Sequence, residues 1–399
     1  MLPTSEPNVN QQRILLSTFF VNFVFFGAAA ILVGAAVPEI LRTFAWSYSD
    51  MGAVMASGAI GYFTSTLLCG ILLRRWGPRP VLVCGLILQA AGLAAFGQTP
   101  SFWLNLLALA LFGLGEGASE VVTNFSLVRI EYSGRSNLMN FIHSAFTAGA
   151  IGGPLVVGLL IERGLPWQHA FEGLAAISVL MAIAFWLQPS VEAPATGAQR
   201  AQAALVDLLR QPLMAFLALA ILLYVGVEIG VSNWIAEYFV QKLGTSAAVG
   251  AYMVSVFWLG LLVGRLATAA LYRSEDQETL LIASCALATL ALALALLDLG
   301  FAWTAACFFT SGMGFASIYP VVVVLAGRHF ASEQGLAIAI ISTGGGIGSF
   351  AFPFAIAALA DYWGIERAFW AYAFTAVAMS ASAAAALVWI RRANTSHGV

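Results

Sequence analysis

Twelve stretches of this chain are apolar over roughly 20 or more consecutive residues, each long enough to cross about 30 Å of hydrocarbon. They fall at residues 14–41, 49–73, 80–98, 102–130, 137–161, 167–188, 213–241, 246–272, 279–298, 302–329, 333–360 and 366–391. Few folds tolerate such blocks. In lipid every backbone amide and carbonyl must be satisfied within the protein, so a span is a helix or a strand of a closed barrel. The blocks are continuous instead of alternating, which excludes barrel strands. The class that follows is an all-α membrane protein with twelve transmembrane helices. With 61% of the 399 residues hydrophobic and 9% charged, almost nothing remains for a soluble domain. The polar start "MLPTSEPNVNQQR" leads into a span too long for a signal-peptide core, with no A-x-A cleavage pattern, so the first helix is expected to be retained.

Loop charge sets the orientation. With the N-terminus inside, Arg13, Arg74, Arg75, Arg79, Arg129, Arg135, Arg200, Arg210, Arg273, Arg328, Arg391 and Arg392 are internal, and only Arg42, Arg163, Lys242 and Arg367 are external. That positive-inside bias predicts cytoplasmic termini, in what is expected to be the cytoplasmic (inner) membrane of a bacterium. Cys69, Cys84, Cys285 and Cys307 lie in predicted spans without paired spacing or a nearby His, and read as core packing. Trp46, Trp103, Trp167 and Trp363 lie near span ends and read as interfacial anchors.

The chain also repeats itself. At an offset of 199 residues, Gly27 meets Gly226, Gly61 meets Gly260, Arg74 meets Arg273, Gly113 and Gly115 meet Gly312 and Gly314, Arg129 meets Arg328, Gly149 meets Gly348 and Pro154 meets Pro353. An ungapped register that includes Pro and Arg divides the chain into two six-helix bundles of like orientation, 1–188 and 213–399, joined by a cytoplasmic linker at 189–212. Parallel repeats of this kind imply a pseudo-twofold axis along the membrane normal and a polar cavity between the halves, with access alternating as they rock.

The loop after the second span, "GILLRRWGPRP", resembles the signature of the major facilitator superfamily: Gly70, Arg75, Gly77 and Arg79 match, while Arg74 stands where that signature carries an Asp. The resemblance implies a gating role for this loop and a cavity lined by helices 1, 4, 7 and 10.

Ionisable residues within spans cost a few kcal/mol in lipid and so normally face a cavity or a partner. Glu116 and Glu120 share one face of helix 4, with Thr123 and Asn124 a turn further on. Helix 5 carries Asn137, Asn140, His143 and Thr147. In helix 7, Tyr224, Glu228 and Ser232 share a face while Glu237 points nearly opposite; the two acids can line one cavity only if the helix breaks, as Gly226 and Gly230 would permit. Asn233 and Trp234 follow, Trp234 as a candidate ligand platform. Single polar residues such as Asn22, Thr343 or His143 also serve as interhelical glue, and Arg265 near the end of helix 8 is placed to snorkel.

A narrower resemblance is to the fucose:proton symporter family, which includes sodium-dependent glucose carriers. Glu120, three residues, then Asn124 is similar to its helix-4 motif; Asn140 and His143 fall where it places substrate-contacting side chains; "YVGVEIGVSNW" is similar to its helix-7 pattern. The resemblance implies cation coupling at Glu120, Glu116 and Glu228. It implies substrate contacts from Asn124, Asn140, His143, Tyr224, Glu228, Asn233 and Trp234. A carboxyl kept from water holds its proton more tightly, so the expected activity is proton-coupled symport of a sugar or other small polar solute, with sodium as the rival ion. No cofactor, metal or nucleic-acid partner is expected, and the chain is expected to be monomeric in the bilayer.

The competing reading is a proton-coupled drug antiporter, because "GAIGGPLVVG" at 149–158 resembles the helix-5 signature of those proteins; against it, helix 4 carries acids where they often carry Arg. The sequence contains no H-E-x-x-H, phosphate-binding Gly-Lys loop or G-x-S-x-G, and "TGGGIGS" lies inside a span, so an enzyme is not expected.

Overall fold

The computed structural model describes residues 9–131, 138–188, 206–272 and 276–396. Among them are twelve helical segments apolar and long enough to cross a membrane. We label the helices α1 (Val9–Phe44), α2 (Tyr48–Trp76), α3 (Pro78–Ala95), α4 (Phe102–Glu131), α5 (Leu138–Glu162), α6 (Gln168–Trp186), α7 (Pro212–Leu243), α8 (Ala247–Leu271), α9 (Gln277–Ala295), α10 (Phe301–Phe315), α11 (Ile318–His329), α12 (Gln334–Trp363) and α13 (Ile365–Ser396). Residues 189–205 of the expected linker lie outside the described residues.

The helices group into two compact units. One comprises α1 to α6 without the first turn of α2, the other that turn and α7 to α13. In the first, α1 packs on α5, and α3 on α4 and α6. In the second, α7 packs on α8, α12 and α13, and α10 on α8 and α9.

The sequence repeat is a packing repeat. A Cβ on Gly27 would strike the Phe146 carbonyl of α5, and one on Gly149 the Val24 carbonyl of α1. Gly61 lies against the Ala110 carbonyl and Gly113 against that of Gly58, while the counterparts Gly260 and Gly312 lie against the carbonyls of Phe309 and Phe257. Lipid supplies no hydrophobic force between helices, so close backbone approach at small residues holds the crossings together. The same use of glycine decides the alternative left open for α7. That helix runs uninterrupted from Pro212 to Leu243, because Gly226 makes room for the Phe352 ring and Gly230 for that of Tyr372.

A break does occur where a continuous span was expected, at 302–329. The chain turns at Ala316–Ser317 between α10 and α11. Pro320, in the first turn of α11, has no N–H to offer the Ala316 carbonyl. The matching positions in α4 are Gly117, Ala118 and Val121, and α4 continues unbroken.

Helix ends follow from local chemistry. Ser47 and Asp50 form a reciprocal capping box on α2: Asp50 N donates to Ser47 Oγ at 3.0 Å, and Ser47 N to Asp50 Oδ2 at 3.0 Å. Within the second unit, Asp361 accepts from the N–H groups of Tyr48 and Ser49 at 2.9 and 2.8 Å. Between α8 and α9, Asp276 caps α9 by accepting from Thr279 N at 3.0 Å and Thr279 Oγ1 at 2.5 Å, contacts that hold its carboxyl below the usual range.

The loop between α2 and α3 reduces to Gly77, with φ 82° and ψ 170°, and Pro78 opens α3. That backbone region belongs to glycine. A Cβ there would meet nothing within 4 Å, so Gly77→Ala isolates backbone strain. It should destabilise the protein by about 1–3 kcal/mol, seen as a lower melting temperature in detergent; an unchanged melt would contradict this account of the motif.

Two smaller expectations are corrected, and Glu237 finds its place. Cys84 is exposed, not core, while the other cysteines are buried. Trp167 is 3% exposed, enclosed by Phe44, Phe96 and Phe171 over Gly97, and so is no interfacial anchor. Glu237 is covered, and accepts from Tyr48 Oη at 3.0 Å and Gln241 Nε2 at 2.9 Å.

Candidate functional site

In the first unit the site is built on α4. The close approach of Gly113 to the Gly58 carbonyl and of Gly117 to that of Tyr62 seats α2 against this helix, bringing the Tyr62 side chain to Glu120. The Tyr62 hydroxyl donates to Glu120 Oε2 at 2.5 Å, and the Asn124 amide, one turn along, bonds to the same carboxyl. Glu116, a turn earlier, is 8% exposed, and its Oε1 is buried with no hydrogen-bond partner among the described residues. No Lys or Arg forms an ion pair with either acid among the described residues. With Tyr62 and Asn124 both directed at Glu120, the pair of acids keeps acceptor capacity free, which a proton or a small cation can take.

The neighbouring polar residues are structural. Asn22 of α1 donates to Ser119 Oγ at 3.1 Å, and Thr123 donates back to the Ser119 carbonyl at 2.7 Å. On α5, Asn137 lies outside the described residues, as do the side chains of Asn140 and His143. The glycine run that suggests a drug antiporter has a packing role here: Gly149 and Gly153 face the backbone of α1 at Val24 and Ala28, while Gly152 is open.

In the second unit, Tyr224 and Glu228 stand one turn apart on α7, 2% and 6% exposed, with the tyrosine hydroxyl donating to the carboxylate. Asn233 is half-buried. Trp234 is completely covered: its indole N–H donates to the Pro353 carbonyl at 3.1 Å, and its ring meets Tyr48 edge-on at 5.8 Å. Stacking a ligand on it would require those helices to part. Of the loop residues, Gly70, Arg74 and Arg75 are exposed, and Arg79 is half-buried with its Nε lacking a hydrogen-bond partner among the described residues.

Two contributors escape sequence reasoning. Tyr62 is signalled only indirectly, by small residues at Gly58, Gly61, Gly113 and Gly117 that let α2 and α4 touch. Arg265, placed by the sequence to snorkel, is half-buried on a turn of α8 that Gly264 and Thr268 hold against the break between α10 and α11.

Comparison with known proteins agrees with this fold. A protein called TsgA homolog from Erwinia tasmaniensis is 26% identical, over 85% of this chain and 86% of its own length. The glucose/mannose transporter GlcP of Bacillus subtilis is 22% identical, over 84% and 87%. Among solved structures, the nucleoside transporter NupG superposes with a TM-score of 0.77 at 16% identity, covering 95% of this chain and 99% of that one. A D-xylose-proton symporter does so at 0.71 and 18%, covering 93% and 96%. The sequence model of the Major Facilitator Superfamily matches residues 18–332, most of the chain, and twelve spans in two repeated units accompany it. This chain therefore belongs to the Major Facilitator Superfamily and is a membrane transporter of small molecules.

Proposed function

We propose that the protein is a symporter that couples a cation, in the first instance a proton, to the movement of a sugar or another small polar solute by alternating access. It would sit in a bacterial inner membrane with both termini cytoplasmic. The observation that carries this reading is the pair Glu116–Glu120 on α4, Glu116 buried and Glu120 half-buried, with a carboxyl oxygen of Glu116 unpartnered and no cationic side chain paired with either acid among the described residues. Such carboxyls are stable when protonated and costly when bare, so solute entry and proton binding favour each other. The coupling is reciprocal and of the order of 1–3 kcal/mol in typical cases. The solute class is supported by the amide of Asn124 and the hydroxyl of Tyr62, groups suited to sugar hydroxyls, and by the similarity to a glucose/mannose transporter.

Sodium is the alternative ion, since Glu116, Glu120 and Asn124 offer several oxygens. Purified protein in vesicles, loaded with an imposed pH difference in choline medium, decides between them. Accumulation of D-glucose or D-xylose without sodium supports the proton. Accumulation only with sodium replaces it, and movement of dyes but of no sugar overturns the symport reading in favour of efflux.

A further inference from the structure

The turn from α2 to α3 carries cationic side chains that the proposed coupling scheme does not use. Arg74 and Arg75, on the last turn of α2, are exposed, and neither forms an ion pair among the described residues. By contrast, the exposed Arg42 and Arg391 are paired with Glu39 and Glu278. Trp76, the next residue, is 53% exposed.

The helix beneath these charges has two different faces. One carries Gly58 and Gly61, which lie against the backbone of α4. On the opposite face Leu67, Leu68 and Ile71 are 78%, 46% and 57% exposed. At helical spacing that stripe leads, one turn on, to Arg74 and Arg75. Bare aliphatic surface thus gives way to two adjacent guanidinium groups within a single turn. An acid at position 74, as in the superfamily signature, would neutralise Arg75; Arg74 doubles the charge instead.

We propose that this end of α2 is a binding site for an anionic phospholipid, with the acyl chains along Leu67, Leu68 and Ile71 and the headgroup phosphate held by Arg74 and Arg75. A lipid is the occupant that matches both halves of the stripe. Guanidinium groups bind phosphate oxygens through paired N–H donors, and aliphatic side chains next to them suit acyl chains. The Trp76 ring then sits at headgroup level, where indoles are favoured. A soluble anion would use the arginines and leave the leucines without a partner. A zwitterionic lipid brings its own cationic group, which competes with the guanidinium groups for the phosphate. Each cationic side chain near an anionic surface adds to the attraction, so the Arg74 charge is what tips the site toward a net-negative headgroup. This inference concerns what the loop binds and stands apart from the symport reading.

The test uses the full chain in nanodiscs of phosphatidylcholine alone or of three parts phosphatidylcholine to one part phosphatidylglycerol. Phosphatidylglycerol should raise the melting temperature of the wild type by several degrees, and high salt should shrink that gain by screening the charges. The double variant Arg74→Gln/Arg75→Gln changes only exposed side chains, so it should fold and yet lose most of the gain. Native mass spectrometry of protein released from the mixed discs should show its retained phosphatidylglycerol reduced about tenfold, with retained phosphatidylcholine unchanged. Arg391→Gln, which removes an arginine already paired with Glu278, should behave as wild type. An equal phosphatidylglycerol gain in the double variant overturns the site. So does an equal loss in Arg391→Gln, which would mark a general effect of surface charge. If inorganic phosphate added to phosphatidylcholine discs gives the wild type the full gain, the arginines take a soluble anion and the lipid assignment is overturned.

Discussion

Glu120→Gln should abolish uphill accumulation of the solute while leaving its downhill exchange largely intact. The amide has the shape of the protonated carboxyl and still offers an oxygen to the Tyr62 hydroxyl that now donates at 2.5 Å, so the solute-binding geometry is kept. What it cannot do is release a proton. A pH difference of one unit is worth about 1.4 kcal/mol per proton, or roughly tenfold accumulation for a one-to-one carrier. The wild type should approach that ratio and the variant should settle near unity, with counterflow rates within a few-fold. Glu237→Gln is the control: Glu237 is more deeply buried than Glu120 and already accepts from Tyr48 and Gln241, so accumulation should survive its replacement. A Glu120→Gln protein that still concentrates solute would remove Glu120 from the coupling mechanism. If Glu116→Gln alone abolished accumulation in that case, the unpartnered acid would be the carrier instead.

How such a site arises was only partly legible in the sequence. The twelve spans could be read because bilayer thickness imposes one length on every helix, and the repeat because its glycines and prolines cannot drift where backbones touch. The side of a helix is harder to read than the position along it. Trp167 sits near a span end, where aromatic side chains usually meet headgroups, yet Phe44, Phe96 and Phe171 surround it. Arg265 stands near the end of α8, where snorkelling is the ordinary outcome, yet its turn is held against the break after Phe315 by Gly264 and Thr268. That break is marked by one residue, Pro320, in a span that hydropathy reads as continuous. Tyr62 lies mid-way along a predominantly apolar helix and gains meaning only once Gly113 and Gly117 bring α4 onto it. In each case the missing information is a pairwise contact between helices, which no single-span rule contains.

Glycine contacts of this kind also set the second large effect. Within the run "GAIGGP" of α5, Gly149 faces the Val24 carbonyl and the Ala28 amide of α1, Gly153 faces the Ala28 backbone, and Gly152 has nothing within 4 Å of a would-be Cβ. Gly149→Ala therefore cannot be absorbed by rotating a side chain; α1 and α5 must move apart along a crossing whose other half, Gly27 against Phe146, is just as tight. Overpacking of this sort typically costs about 1–3 kcal/mol and at times more; with backbone as the obstacle, about 3 kcal/mol is expected, enough to reduce the yield of folded protein severalfold. Gly152→Ala, three residues away in the same helix, should be neutral or slightly stabilising, since alanine is the better helix former by about 1 kcal/mol. Folded yield and melting temperature of the two variants, measured side by side, separate helix propensity from contact. Gly348→Ala, which meets the Leu222 carbonyl in the second unit, should repeat the Gly149 loss. Should Gly149→Ala and Gly152→Ala melt alike, the 199-residue register of glycines would have to reflect something other than helix crossing.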